Sequence, residues 1–193
     1  MASPEDILAF WLDETGPEGW YKGGEKLDET IRERFEADWN RAMQGALSLW
    51  LTYASGTLAY IILTDQFSRN MYRGTAKAFS SDRLAKSASK VAISKGWDLK
   101  IDEPARQFFY LPLEHSENQE DQDRAVRLFS TRMPESAESL LHAKAHREII
   151  RQFGRFPFRN EALSRESTGA EREFLESGGY GRMVEKLRAK SAA

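Results

Sequence analysis

Apolar residues recur once per turn from Leu27 to Met43, at Leu27, Ile31, Phe35, Trp39 and Met43, with charges on the opposite side. That spacing predicts an amphipathic helix. Ahead of it, "SPEDILAFW" places Ser3 as an N-cap and Pro4 at a first helical position, followed by apolar residues at helical spacing. "PEGWYKGGEK" is a glycine-rich loop. "LAYIILTDQF" is apolar almost all round and predicts a central buried helix, a strand being the rival for so short a run. "AFSSDRLAKSASKVAISKG" predicts another helix, stopped by Gly96. Pro112, inside "FFYLPLEHSE", predicts a kink or two short helices, because proline removes a backbone donor. "PESAESLLHAKAHREIIRQFG" predicts a helix from a first-turn proline to Gly154, and Thr168 with Glu171 forms a capping box before a further helix. "RMVEKLRAK" predicts a last, weak one.

The pattern contains no convincing strand and no dividing linker, so the expectation is one all-α domain over 1–193, with about 180–193 as a loose C-terminal helix or tail. Its architecture is expected to be antiparallel helix pairs, either as a tetratricopeptide-like right-handed superhelix or as a compact helical bundle.

Some polar residues fall where the pattern calls for apolar ones. At about 100° per residue, Leu58, Ile61, Ile62, Asp65 and Arg69 share one face, and Tyr60, Leu63 and Phe67 occupy the other. No rotation brings Asp65 to water without exposing an aromatic, so Asp65 is expected to meet a partner inside. Arg69, four residues on, is one candidate. Asn70, Tyr72 and Arg73 follow where the helix stops. In an uninterrupted helix, Arg106, Tyr110, Glu114, Glu117 and Asp121 would form a single polar stripe, with His115 toward the other side. A third cluster follows Gly154, where Arg155, Arg159 and Asn160 alternate with Phe156 and Phe158. Guanidinium forks there suit planar anions, or pair with the carboxylates of the second cluster.

His142 and His146 stand four apart, with no "HExxH" and no third ligand at a familiar spacing, so no metal is expected. Nucleophile-elbow, Walker and dinucleotide motifs are absent, and no cofactor is expected. The 193 residues suffice for a sizeable core. With 28 Lys and Arg against 30 Asp and Glu the net charge is -2, which gives no general attraction for nucleic acid. No apolar run is long enough to span a bilayer, and the acidic start lacks the basic flank of a signal peptide. The absence of cysteine fits a reducing compartment. The expectation is a soluble cytoplasmic protein with no nucleic-acid or membrane partner; oligomeric state stays open, since Trp11, Trp20 and Trp50 suit a core or an interface alike.

The opening "ILAFWL" and the blocks "DQFSRNMYRGTAKAF", "FFYLPLEHSENQEDQ" and "RQFGRFPFRN" strongly resemble the bacterial domain of unknown function 924 family, from about Ile7 to Leu175. The chain departs from the family pattern at Ser68, usually proline, and at Phe158, usually histidine. The resemblance implies an all-helical, tetratricopeptide-like fold and an uncharacterised function.

Three functional readings follow. The first is a helical-repeat protein holding a small anionic or zwitterionic ligand, or a peptide, in a cleft lined by Asp65, Arg69, Asn70, Arg73, Arg106, Tyr110, Glu114, His115, Arg155 and Arg159. The second is a hydrolase or lyase with Glu114 or Asp65 as general base and His115 or Tyr110 as proton partner. The third is a structural or interaction scaffold whose clusters form one internal salt-bridge network.

Overall fold

Ser3 caps α1 (Pro4–Leu8) as its sequence predicts: Asp6 N–H donates to the Ser3 hydroxyl and Ser3 N–H donates back to the Asp6 carboxylate. In this computed structural model, which describes residues 1–191, the chain divides into two units, Met1–Pro112 and Leu113–Ala193. Among the described residues there is no strand, and no helix is long and apolar enough to cross a membrane.

In the first unit, α1 runs on as a π-helical turn over Ala9–Thr15, followed by α2 (Gly16–Trp20) and α3 (Glu25–Met43). The predicted stripe of α3 holds at Ile31, Phe35 and Trp39, all buried, and shifts at both ends. Leu27 is only half-buried and Met43 is exposed, while Asp28, Asp38 and Ala42 lie inside. The shift follows from polar partners. Asp38 accepts from Ala2 N–H and from Arg41, and Asp28 accepts from two side chains described below.

"LAYIILTDQF" is helical, not a strand. α4 (Ala54–Ile61) passes into a second π-helical stretch, Ile62–Phe67, and then α5 (Ser68–Met71), with every residue from 56 to 68 buried. The wider π turn loosens the usual ladder, and side chains supply donors to its carbonyls. Ser68 Oγ donates to Thr64 O and Asp65 O, and Ser81 Oγ also donates to Thr64 O. The two π stretches meet in an aromatic core: Phe67 lies 5.8 Å from Phe10, 5.3 Å from Trp11 and 5.0 Å from Phe35, by ring centroids. α6 (Asp82–Ser94) packs against α4, and Ser89 Oγ donates to Phe109 O.

Pro112 produces the predicted two short helices, a 3-10 turn over Ala105–Phe109 and α7 (Leu111–Glu114). The uninterrupted stripe does not form, since α8 (Gln119–Arg132) begins afresh at an Asn118 cap. Tyr110, Glu114 and Asp121 are buried rather than lined up on a polar face.

In the second unit α8 packs on α9 (Ala137–Phe153), which begins after Ser136, not at Pro134, and ends as predicted on left-handed Gly154. Thr168 and Glu171 form their capping box on α10 (Gly169–Glu176). The weak last helix is α11 (Gly179–Ser191), which sets Met183 and Val184 among Leu141, Ala145, Ile149 and Phe156; residues 192–193 of the expected tail lie outside the described residues.

Truncating Phe67 removes the ring on which both π turns close. Phe67→Ala is expected to cost about 3–5 kcal/mol in urea unfolding, against within ~0.5 kcal/mol for exposed Met43→Ala.

Candidate functional site

A cleft of about 750 Å³ opens in the first unit between the Lys22–Gly24 loop, the first turns of α3 and the segment after α5. Its centre is Asp28. That carboxylate accepts from Arg73 Nε at 2.8 Å, Arg73 Nη2 at 2.9 Å and Asn70 Nδ2 at 2.7 Å. Partial burial opposes its charge, yet the bonds from Arg73 and Asn70 hold its pKa below the ordinary carboxylate value.

The loop is shaped for close approach. Gly23 and Gly24 hold φ of +60° and +134°, a region that side chains other than glycine rarely enter. A Cβ on Gly23 would stand 3.1 Å from Arg73 Nη2, so the guanidinium lies directly on this backbone. Gly24 is also the N-cap of α3 and offers no side-chain cap, which leaves the first-turn amides facing outward. Across the cleft, Arg32 Nη2 donates to Met71 O at 2.6 Å. Arg73 Nη1 and Arg32 Nε and Nη1 make no hydrogen bond among the described residues. Three cations, Lys22, Arg32 and Arg73, face three carboxylates, Glu25, Asp28 and Glu29.

Of the residues expected to share one site, only Asn70 and Arg73 line this cleft. Asp65 and Arg69 lie behind it in a buried network. Arg69 Nη1 stands 3.2 Å from Asp65 Oδ1 and donates to Asp65 O, while Nη1 and Nη2 donate to Asp82 at 3.0 and 3.1 Å. Gln66 Nε2 donates to Asp65 Oδ2 at 2.6 Å. Burial works against the Arg69 charge, but the Asp65 and Asp82 charges raise its pKa above the ordinary guanidinium value. Tyr110 is fully buried and donates to Asp98, also fully buried, at 2.6 Å. Arg106 donates to Ile101 O and pairs with Glu103.

The other four candidates belong to the second unit. Glu114 faces His146 at 2.8 Å, and His115 lies with its ring 6.2 Å from the same imidazole. Arg155 is bidentate to Glu171 at 2.6 and 2.8 Å, and Arg159 lies over the Phe156 ring at 4.5 Å. Glu117 pairs with Arg165 and accepts from Phe156 N–H. Arg155 thus pairs with Glu171, outside the second cluster, and the second cluster's Glu117 is taken by Arg165 rather than by Arg155.

Sequence reading missed Asp28, Arg32, Lys22 and His146. One signal for the first was available: Asp28 stands three residues before Ile31 and seven before Phe35, a carboxylate on the buried face four residues after "GG". Among the described residues no group of three or more His, Asp or Glu could hold a metal.

A family of bacterial proteins of unknown function, DUF924, matches residues 7–179. The solved structure of a protein of unknown function from Agrobacterium tumefaciens, ATU0120, superposes with a TM-score of 0.86 at 40% identity, over 91% of this chain and 97% of that one. No curated protein matches the chain.

Asp65→Ala leaves Arg69 and Gln66 without the buried oxygens they bond, and is expected to cost about 3–5 kcal/mol by denaturant unfolding. Glu171 supplies a pH signature. The Arg155 hydrogen bonds hold its pKa at about 2 against an ordinary 4.5, so its contribution is complete above the unfolded value and is lost as pH falls toward 2. Thermal unfolding between about pH 5 and pH 2 is expected to show a shallower acid loss in Glu171→Gln than in the parent protein.

Proposed function

This chain belongs to the DUF924 family of bacterial proteins, and from that premise we propose that its first unit binds a small zwitterionic ligand or a peptide end in the Asp28 cleft. The observation that carries the reading is the cleft's polarity. Open guanidinium donors of Arg73 and Arg32 and the uncapped start of α3 suit a carboxylate or phosphate, and Glu25 and Glu29 suit an ammonium group a short distance away. The balance of three cations and three carboxylates favours a ligand carrying both signs over a simple anion. Asp28 acts as the holder of Arg73, fixing one fork face so that Nη1 points away from it. A helical scaffold that offers a concave polar surface is the usual setting for such recognition.

The internal-network reading has its own support at Arg69, which pairs with both Asp65 and Asp82. The carboxylate-base reading has less, since Asp65 is held by Arg69 and Gln66.

A thermal-shift screen of the full chain against amino acids, dipeptides, inorganic phosphate, nucleotides and divalent cations tests the proposal. Amino acids or dipeptides are expected to raise the melting midpoint of the parent protein and to leave Arg73→Ala unmoved. An equal response in the variant, or none from any zwitterion, removes the reading.

A further inference from the structure

All three histidines of the chain lie in the second unit, and the ring of His146 occupies the centre of their cluster. Its Nδ1 stands 2.8 Å from Glu114 Oε1 and 2.9 Å from the backbone oxygen of His142. Both are acceptors, the carbonyl always and the carboxylate when ionised. Nδ1 therefore carries the proton, and in the neutral ring the lone pair is on Nε2. Tyr180 does not compete for it. Its oxygen is 3.5 Å from His146 Nδ1 but 2.5 Å from His142 Nδ1.

Nε2 of His146 makes no hydrogen bond among the described residues and is not one of their buried, partnerless polar atoms, so it reaches solvent. Glu114, by contrast, is nearly inaccessible, at 3% exposure. Its backbone is fixed from behind, where the fully buried Gln122 amide donates to Glu114 O and Ser116 O. A buried carboxylate thus holds one ring nitrogen while the other stands open. Around the ring are aromatic walls. Phe156 meets it edge-on at 5.4 Å and Tyr180 lies tilted against it at 4.8 Å; Phe158 stacks on Phe156 and keeps 43% of its surface in water.

We propose that Glu114 and His146 form a carboxylate–imidazole general-base pair that hydrolyses carboxylic esters with an apolar acyl or aryl group, which rests on Phe158 and Tyr180. Nε2 takes a proton from water as the water oxygen bonds to the ester carbonyl carbon. The bond from that carbon to the alkoxy oxygen then breaks, and the leaving alcohol takes the proton from Nε2. Acid and alcohol are released, and the imidazole returns to its starting tautomer. Glu114 stays ionised throughout, orienting the ring and stabilising the imidazolium between the two proton transfers. His146 is the catalytic residue and Glu114 a positioning residue. This role differs from a carboxylate acting as the base itself, and it is independent of the ligand cleft in the first unit.

The test uses the full chain with 4-nitrophenyl acetate and 4-nitrophenyl benzoate. Multiple turnovers above the buffer rate are expected, with a solvent deuterium isotope effect well above unity and a loss of roughly 10²–10⁴-fold in His146→Gln. Glu114→Gln is expected to lower kcat with little change in KM. Nitrogen-15 NMR of the ring is expected to show the Nδ1–H tautomer in the parent protein. Turnover that survives in a folded His146→Gln, turnover no faster than buffer, or an Nε2–H tautomer in the parent protein each overturns the proposal. Should His146→Gln fail to fold, the parent tautomer and isotope effect decide it alone.

Discussion

Asp65 sits in a helix that is buried on every side, and a carboxylate in that place folds only with its partners in hand. Arg69 is the chief of them, and its reach organises the first unit. One guanidinium nitrogen touches both the Asp65 carboxylate and the Asp65 backbone oxygen, which ties the π turn to the start of α5. The other end of the fork grips Asp82 at the start of α6. A single side chain therefore sets the register of the central helix and the position of its neighbour. The α5 segment so fixed carries Asn70 and Arg73 to the cleft, so the polar surface outside is referenced to the ion pair inside.

Both units treat charge in the same way. A carboxylate is sheltered first, at Asp28, Asp65, Glu114, Glu117 or Glu171, and a cation or ring nitrogen is then aimed at it. Sheltering makes each contact stronger than a surface pair of the same length and makes an unpartnered carboxylate costly. The outcome depends on what the partner retains. Arg165 spends Nε, Nη1 and Nη2 on Asn160, Glu117 and the Phe156 carbonyl, which engages every nitrogen of its guanidinium. Arg73 keeps Nη1 and His146 keeps Nε2, and those spare atoms are where ligand and proton chemistry are proposed above.

Helix existence was legible in the sequence wherever caps and periodicity agreed, as at Ser3, Gly154 and the Thr168–Glu171 box. It was legible too that Asp65 needed an interior partner. The polar stripe through Pro112 was not, because helical angles carry no meaning across a break, and Tyr110 turned inward to Asp98 instead. The pairing of Glu114 with His146 was out of reach for a different reason: 32 positions separate them, and only the folding of the second unit brings the two together. Local spacing found where polar groups concentrate; it could not tell a group with a spare atom from one whose atoms are all engaged.

Gly23 and Arg73 carry a consequence of another kind. A β-carbon on the loop would stand 3.1 Å from the guanidinium, a tight approach between residues fifty positions apart in the chain. A larger residue in the loop, already strained by the φ of +60°, also requires the arginine tip to give way. Change at either position is therefore conditional on the other. Over evolutionary time the two are expected to drift as a pair or not at all, which makes them a natural unit for transplanting this cleft, loop and helix end together, into another helical scaffold.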